Sequence, residues 1–259
     1  MGVLNVTPDS FSDGGLFFEH DAALRRGLEM VEQGADVIDI GGESTRPGSD
    51  PVSAEEEWRR VGTLIESLAA KVDVPLSIDT MKASVAERAI RAGASIVNDV
   101  SGMRDPALIR VVAAERAGVV AMHMLGNPKT MQQDPRYEDV VGEVEAFLAE
   151  RIRALEAAGV ASDAIAVDPG IGFGKSLAHN LALLRGLDRL AALGHPVVVG
   201  VSRKSFIGKL GAGDAGRRLP GSVAAATVAV LRGAHVVRAH DVSETVRAMR
   251  VADALRGET

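Results

Sequence analysis

Short apolar runs that end at or beside polar residues recur along the whole chain. Each run has four to six residues. Eight segments have this form: Met1–Asn5, Val37–Ile40, Pro75–Asp79, Ser95–Asp99, Val119–Met124, Ala164–Asp168, Val197–Ser202 and His235–Ala239. Because valine-rich runs of this length are typical of parallel strands buried on both faces, the pattern predicts eight strands.

Helical patterns occupy the segments between the runs. The sequence Ser53–Glu56 has the form of a capping box, and Val61, Ile65 and Leu68 follow it at helical spacing. Glycines mark the expected helix ends before several strands: Gly34, Gly93, Gly118, Gly159, Gly194 and Gly233. Eight such units in this length predict an α/β fold, a (β/α)8 TIM barrel that forms one domain over residues 1–259. A doubly wound sheet is the alternative.

Composition and net charge exclude several kinds of partner and site. The 259 residues carry a formal net charge of −6, so no global basic field favours nucleic acid, and any anion site must be a local cluster. There are no cysteines, which excludes disulfides and thiolate metal sites. No apolar run approaches the ~18 residues of a membrane span, so we expect a cytoplasmic protein without membrane contact.

Polar residues at the eight strand ends divide by charge. In a barrel these ends converge on one mouth, where ligands bind. One group suits a ligand edge rich in N–H donors or a developing positive charge: Asp13, Asp79, Asn98 and Asp168. The other suits an anion: Arg46, Arg203, Lys204, Arg238 and His240. Together they predict a substrate with a polar heterocycle and a phosphate-type group.

Several of these residues also have a purely structural interpretation. Asp168 precedes Pro169-Gly170 and is a residue type that caps such a turn, and Asp13 precedes two glycines in the same way. Lys204 could cap a helix or lie on the surface. The glycine-rich segment 170–176 resembles a phosphate loop, but Pro169 stands where that motif requires glycine, so we exclude a P-loop.

Nine segments carry a family resemblance that spans nearly the whole chain. They read MGVLNVTPDSFSDGG (1–15), DIGGESTRPGS (39–49), SIDTMKASVAERAI (77–90), VNDVSG (97–102), HMLGNPKTMQ (123–132), DPGIGFGKS (168–176), VGVSRKSFIG (199–208), GSVAAA (221–226) and VRAHDV (237–242). In them the chain resembles the dihydropteroate synthase family of pterin-binding TIM barrels, which are sulfonamide targets of folate biosynthesis. The resemblance implies condensation of (7,8-dihydropterin-6-yl)methyl diphosphate with 4-aminobenzoate by dissociative loss of diphosphate.

The resemblance also assigns residues to each part of the site. The pterin would contact Asp79, Asn98, Met122, Asp168 and Lys204. The diphosphate, with Mg²⁺ held by Asn5, would contact Asn5, Arg46, Arg238 and His240. The aminobenzoate pocket would be shaped by Phe11, Thr45, Pro47, Phe173 and Ser205. The catalytic groups would be Asp13, Asp79, Lys204, Arg238 and His240.

Three other functions remain as alternatives. These are a homologue that binds pterin without condensing it, a corrinoid-coupled methyl-folate methyltransferase, and a Schiff-base aldolase that uses Lys204. The helix predicted at Gly221–Arg232 is apolar almost all round. This suggests burial on more than one side, either in a homodimer or between neighbouring helices.

Overall fold

Parallel strands and helices alternate along the chain. The computed structural model describes residues 1–6, 15–46 and 48–257. Its strands are β1 (Gly2–Asn5), β2 (Ile38–Gly41), β3 (Leu76–Asp79), β4 (Ile96–Asp99), β5 (Gly118–Met122), β6 (Ile165–Asp168), β7 (Val198–Gly200) and β8 (Val236–Arg238). Each of the eight predicted runs therefore overlaps one strand, and β2 and β5 each extend one residue beyond their run, to Gly41 and to Gly118.

Ten α-helices lie in the described part of the chain. They are α1 (Gly15–Glu32), α2 (Ala54–Ala69), α3 (Ala83–Arg91), α4 (Pro106–Glu115), α5 (Val140–Ala157), α6 (Leu177–Arg185), α7 (Leu187–Ala191), α8 (Ser205–Ile207), α9 (Leu219–Leu231) and α10 (Val242–Arg256). A π-helical turn, Gly208–Ala212, follows α8. No described helix is long and apolar enough to cross a membrane.

Strand order shows that the sheet closes on itself. Strands β1 to β6 pair in sequence order, and β7 pairs with β8, all of them in parallel. A bridge between Val167 and Val197 joins β6 to β7, and one between Gly2 and Ala239 joins β8 to β1. The Val3 N–H donates to the Ala239 carbonyl at 3.0 Å across that last seam. The fold is thus a TIM barrel, and the doubly wound alternative is wrong.

The main core lies between the barrel and its helices. Ile38, Ile40 and Ile78 point outward from their strands and are fully buried against helix residues such as Ile65 and Leu68. The intervening positions of the same strands therefore point into the barrel, because side chains alternate along a strand. Asp39 and Asp79 occupy such inward positions, which is how the fold brings charged groups to one enclosed place.

Two local predictions needed correction. Ser53 caps α2 by accepting from the Glu56 N–H, but the Glu56 carboxylate pairs with Arg59 and Arg60 instead of completing the capping box. Gly118 is the first residue of β5 and does not end α4. The left-handed residue at that helix end is Arg116, with φ 54°.

Candidate active site

A small cavity opens among the carboxyl ends of the strands. Its lining includes residues from the ends of β4, β5, β6 and β8 and from the turns after β6 and β7: Asn98, Met122, Asp168, Phe173, Lys204 and Arg238. All six were expected from the sequence to contact substrate. The structure therefore brings together both the acidic and the cationic groups of the prediction.

Arg238 lies at the centre of a buried charge network. Its Nε donates to Asp39 Oδ2 at 2.6 Å, and its Nη2 donates to Asp79 Oδ2 at 2.8 Å. Asn98 Nδ2 donates to the same Asp39 oxygen at 3.0 Å. Asp39 thus holds the guanidinium of Arg238 and the amide of Asn98 in one arrangement.

Burial shifts the pKa values of the charged groups in this network. It raises the pKa of Asp79 to about 7, although the neighbouring Arg238 charge opposes the shift. Burial alone would lower the pKa of Arg238, but the carboxylates of Asp39 and Asp79 outweigh it and raise that pKa. Asp39 Oδ1 and Asp79 Oδ1 are both buried without a hydrogen-bond partner in the part of the chain that the structure describes. Unpaired buried acceptors are costly, and neither Asp39 nor Asp79 is among the residues that line the cavity, so both lie beneath it.

Asp168 combines the two roles that the sequence left open. Its Oδ1 accepts a hydrogen bond from the Gly170 N–H at 2.6 Å, so Asp168 caps the turn. Asp168 also lines the cavity. Burial raises the pKa of Asp168, while Gly170 and nearby Lys204 oppose that rise. The turn therefore fixes the orientation of the carboxylate towards the cavity.

Lys204 faces both Asp168 and an aromatic ring. Burial of its ammonium lowers the pKa of Lys204 to about 8, against the opposing effect of Asp168. The ammonium lies 4.0 Å from the centroid of the Phe173 ring, a cation–π contact. A surface position for Lys204 is thereby excluded.

Apolar side chains form one wall of the cavity. Met122 and Val100 are buried in a cluster with Met124 and Met131, and Phe173 packs against it. Polarisable methionine side chains adapt to a flat ring, so this wall suits a planar heterocycle.

His240 lies beside the network, after β8. Its Nδ1 is 3.1 Å from Ser202 Oγ, which also accepts from the His240 N–H at 3.2 Å. Burial, together with the charge of Arg238, lowers the pKa of His240 to about 4. The imidazole is therefore neutral near pH 7 and serves as a hydrogen-bonding group.

The remaining predicted residues lie on loops around the mouth or outside the described ranges. Thr45 is partly exposed and Arg46 is exposed, both between β2 and α2, and Ser205 is exposed at the start of α8. None of these three is among the residues that line the cavity. Phe11, Asp13 and Pro47 lie outside the described residues. Arg203, one of the cations counted at the strand ends, forms an ion pair with Asp241.

Asn5 ends β1 and is the predicted Mg²⁺ ligand. Gly41 lies beside Asn5 on the neighbouring strand β2, and a Cβ added to Gly41 would lie 3.6 Å from Asn5 Oδ1 and 3.6 Å from Asp79 Cβ. The Asn5 amide oxygen and the Asp79 side chain therefore border the same inward position. The described residues contain no group of three or more histidine or acidic side chains that could hold a metal. One amide oxygen suits Mg²⁺ that arrives with phosphate oxygens and retains its waters, as Mg²⁺ usually does.

Sequence reasoning missed two charged residues of this site. Asp39 was counted as strand interior within the run Val37–Ile40, yet it is fully buried and binds Arg238. Lys175 belongs to the excluded phosphate-loop segment 170–176, yet it is 3% exposed and its Nζ donates to the carbonyl of Phe173, a residue that lines the cavity. In both cases the signal was a charged residue next to positions that must be buried.

Comparison with known proteins identifies the family. Residues 1–240 match the family model described as pterin binding enzyme. The dihydropteroate synthase of Escherichia coli strain K12 is 46% identical over 254 residues, which cover 98% of this chain and 90% of that protein.

Two solved structures have the same fold. A Yersinia pestis dihydropteroate synthase with a sulfonamide drug has a TM-score of 0.94 at 46% identity, covering 99% of this chain and 94% of that one. A Xanthomonas albilineans dihydropteroate synthase in complex with 7,8-dihydropteroate has a TM-score of 0.90 at 47% identity, covering 99% and 92%. The chain therefore belongs to the pterin-binding enzymes, in the dihydropteroate synthase family.

Proposed function

We propose that this chain condenses (7,8-dihydropterin-6-yl)methyl diphosphate with 4-aminobenzoate and releases 7,8-dihydropteroate and diphosphate. The observation that carries the proposal is the strand-end cavity, where Asp168 and Lys204 face each other beside Arg238. The Xanthomonas albilineans relative that binds 7,8-dihydropteroate supports the same product here.

The pterin would occupy the cavity with its aminopyrimidine edge towards Asp168. A carboxylate accepts two parallel N–H bonds from such an edge, and Lys204 can donate to the ring carbonyl. Asn98 and Met122 would contact the ring from the side of β4 and β5. Because Asp168 is already oriented by Gly170, little ordering remains to be done when the ring binds.

Diphosphate would leave towards Arg238, Arg46 and His240. Among the described residues, the hydrogen bonds of Arg238 use Nε and Nη2, so Nη1 remains for phosphate oxygens. The C–O bond to the diphosphate breaks, and its electron pair stays with the leaving group. Arg238 stabilises that developing anion, while Asp79 and Asp13 stabilise the methylene cation left on the pterin.

The aniline nitrogen of 4-aminobenzoate then forms the new C–N bond with its lone pair and loses a proton to solvent. Thr45, Ser205 and Phe173, together with Phe11 and Pro47, would form the pocket that orients it. No strong base is needed, because the product ammonium is a strong acid. This agrees with the neutral, weakly basic state of His240.

Mg²⁺ fits this scheme as a companion of the diphosphate, with Asn5 as its protein ligand. When bound, the ion spreads the negative charge of the leaving group. Asn5 borders the position of Asp79, and Arg238 Nη2 donates to that carboxylate, so the amide oxygen lies near the arginine towards which the scheme directs the leaving group.

We also propose a homodimer formed through α9 and α10. Val228 and Leu231 of α9 are each 48% exposed, and Val251 and Leu255 of α10 are 59% and 73% exposed. These two helices pack on each other, so the apolar side chains share one side of the barrel. Light scattering on the purified protein should give twice the chain mass, and a monomer at micromolar concentration would contradict this proposal.

The decisive test of the reaction is an assay with the pterin diphosphate, 4-aminobenzoate and Mg²⁺. We expect diphosphate and dihydropteroate in equal amounts, each detected separately. Pterin binding without turnover would indicate the non-synthesising homologue. Preference for methyl-tetrahydrofolate would indicate the methyltransferase, and borohydride trapping of a carbonyl substrate on Lys204 would indicate the aldolase.

A further inference from the structure

Lys175 is a buried lysine that the proposed reaction does not use. It follows the glycine-rich turn after β6 and is 3% exposed. Lysine is almost never buried unless its charge is paired. In the described part of the chain its ammonium has no carboxylate within salt-bridge distance. Its Nζ lies 3.0 Å from His123 Nδ1, 3.0 Å from the Phe173 carbonyl oxygen and 3.4 Å from the His123 carbonyl oxygen.

These contacts tie the end of β5 to the turn that carries Phe173. The turn passes so close to β5 that a Cβ on Gly170 would lie 1.9 Å from the His123 carbonyl oxygen. Gly170 has φ 68°, which glycine adopts without strain. The chain therefore wraps around the ammonium, and Phe173, whose carbonyl accepts from it, presents its ring to Lys204.

Lys175 also acts electrostatically on Asp168. Burial lowers the pKa of Lys175 to about 7, and the nearby charge of Asp168 opposes that shift. In return, Lys175 is one of the groups that restrain the raised pKa of Asp168. Lys175 and Lys204 thus lie near one carboxylate, and the charge of Lys204 further lowers the pKa of Lys175.

We propose that Lys175 is a positioning residue for the pterin. Its ammonium fixes the Phe173 turn through the Phe173 carbonyl, and its positive charge keeps Asp168 ionised for the aminopyrimidine edge. This proposal rests on the proposed function, because it assumes that the cavity binds pterin.

The other ionisable groups around Lys175 are the same residues in the wild type and in every variant. His123 faces it from β5, Asp168 from β6 and Lys204 from the turn after β7, and Arg238 of β8 faces Asp168. Burial, with the charge of Lys175, lowers the pKa of His123 to about 3, so this imidazole stays neutral above pH 6. A comparison of variants at fixed pH therefore isolates the contribution of Lys175.

The test is the affinity of 6-hydroxymethyl-7,8-dihydropterin, measured by calorimetry at pH 6 and pH 8.5 without Mg²⁺. Lys175→Met should weaken binding about tenfold at pH 6, because a removed neighbouring charge moves a carboxylate pKa by about one unit or more. At pH 8.5, where Lys175 is mostly neutral, only the loss of the bond to the Phe173 carbonyl remains, so the variant should differ from the wild type by about threefold or less.

Tyr137→Phe is the matched control. The Tyr137 hydroxyl donates to the Gly174 carbonyl at 2.9 Å, so this variant removes another tether of the same turn without changing charge. It should change affinity by the same factor at both pH values. Lys175→Gln retains a donor for the Phe173 carbonyl but no charge, so it should show most of the pH 6 loss of Lys175→Met and a smaller loss than Lys175→Met at pH 8.5.

Three outcomes would overturn the proposal. The first is a Lys175→Met effect that is equal at both pH values. The second is full retention of pterin affinity at pH 6. The third is unfolding of both Lys175 variants where Tyr137→Phe is folded, because Lys175 would then act on the fold as a whole. If the wild type itself binds no pterin, the proposed function fails instead.

Discussion

The two sides of the proposed active site are built in different ways. The strand side consists of Asp39, Asp79, Asn98, Asp168 and Arg238, which lie on strands inside the barrel and bind one another. The loop side consists of residues 43–52 and Ser205. Arg46 on the loop side is exposed, and its hydrogen bonds to described residues are made by its main chain.

Because of this difference, substitutions on the two sides should affect stability and substrate binding differently. On the strand side, the positions of the charges are set when the barrel closes, so each side chain affects both folding and binding. On the loop side, Arg46 can be changed without leaving a buried group unpaired. The unfavourable free energy of burying charged groups is therefore concentrated in the barrel interior, where a fixed electrostatic environment favours catalysis.

One ion cluster anchors the loop side to helix α2 and to the start of α3. Lys82, which precedes α3, donates to Glu43 of the loop side and to Glu57 of α2, each at 2.5 Å. Burial alone would lower the pKa of Lys82, but the hydrogen bonds to Glu43 and Glu57 raise it. Glu43 in turn accepts from the Val52 N–H at 2.9 Å, which fixes both ends of the loop side.

The largest expected effect is that of Arg238→Ala. Two buried carboxylates, those of Asp39 and Asp79, would lose their cation, and breaking a buried pair costs about 3–5 kcal/mol. Loss of the phosphate-facing donor should also lower kcat/KM by about 10³-fold. The measurements are urea unfolding and steady-state kinetics.

The pH dependence of the Arg238→Ala defect has a definite sign. Without Arg238 the pKa of Asp79 rises further, so the folded state binds a proton that the unfolded state releases. Because the pKa of Asp79 in the wild type is about 7, the stability of the variant relative to the wild type should be constant near pH 5 and fall as the pH rises above about 7, towards pH 8. A defect that is the same at both pH values would contradict the charge network, and Arg238→Lys should give an intermediate loss.

Lys82→Met should have the next largest effect. It leaves fully buried Glu57 without its cation, at a cost of about 3 kcal/mol in unfolding free energy. It also releases Glu43, so the KM for 4-aminobenzoate should rise while pterin affinity remains unchanged.

Lys129→Met is the control for this variant. Lys129 forms an ion pair with Asp50, which lies on the loop side as Glu43 does. Both side chains of this pair are exposed, so we expect no change in the free energy of unfolding. Equal effects of the two lysine variants on unfolding would show that the buried cluster has no special role.

Arg46→Ala should affect activity alone. We expect a decrease of about 10-fold to 100-fold in kcat/KM, from loss of the phosphate contact proposed for Arg46, and no change in urea unfolding. Arg110→Ala, at an exposed position of α4, is the control for a change of net charge. A fall in unfolding free energy as large as that of Arg238→Ala would remove the distinction between the two sides.

The sequence predicted the strands well because burial on both faces leaves a strong pattern. Val197–Val201 and Ala164–Asp168 are apolar runs that end in polar residues, and both contain strands with ends at the cavity. The end of α4 was predicted less well. There Arg116 takes the left-handed conformation that glycine was expected to supply at Gly118, and local composition does not distinguish the two.

The site was only partly predictable for a different reason. Asp168 and Lys204 stand out because polarity changes abruptly at the ends of their strands. Asp39 does not, since its partner Arg238 is 199 residues away and their contact depends on β8 closing against β1. The burial of Lys175 likewise depends on the close passage of its turn over β5, which no spacing along the chain reveals.

The last expected effect concerns acid stability at His123, which follows β5 beside the strand side. Burial lowers the pKa of His123 to about 3, whereas an unfolded histidine titrates near its ordinary value of 6.5. Between these values the unfolded chain binds a proton that the folded chain does not, so stability is lost as the pH falls below 6.5. His123→Gln removes this linkage and should flatten the decline in unfolding free energy between pH 6.5 and pH 4. At pH 8, where His123 is neutral in both the folded and the unfolded chain, any difference between the proteins reports packing and the contact with Lys175. An unchanged slope below pH 6.5 would mean that His123 is solvated enough to be protonated in the folded protein, and the strand side would then be less dry than its contacts indicate.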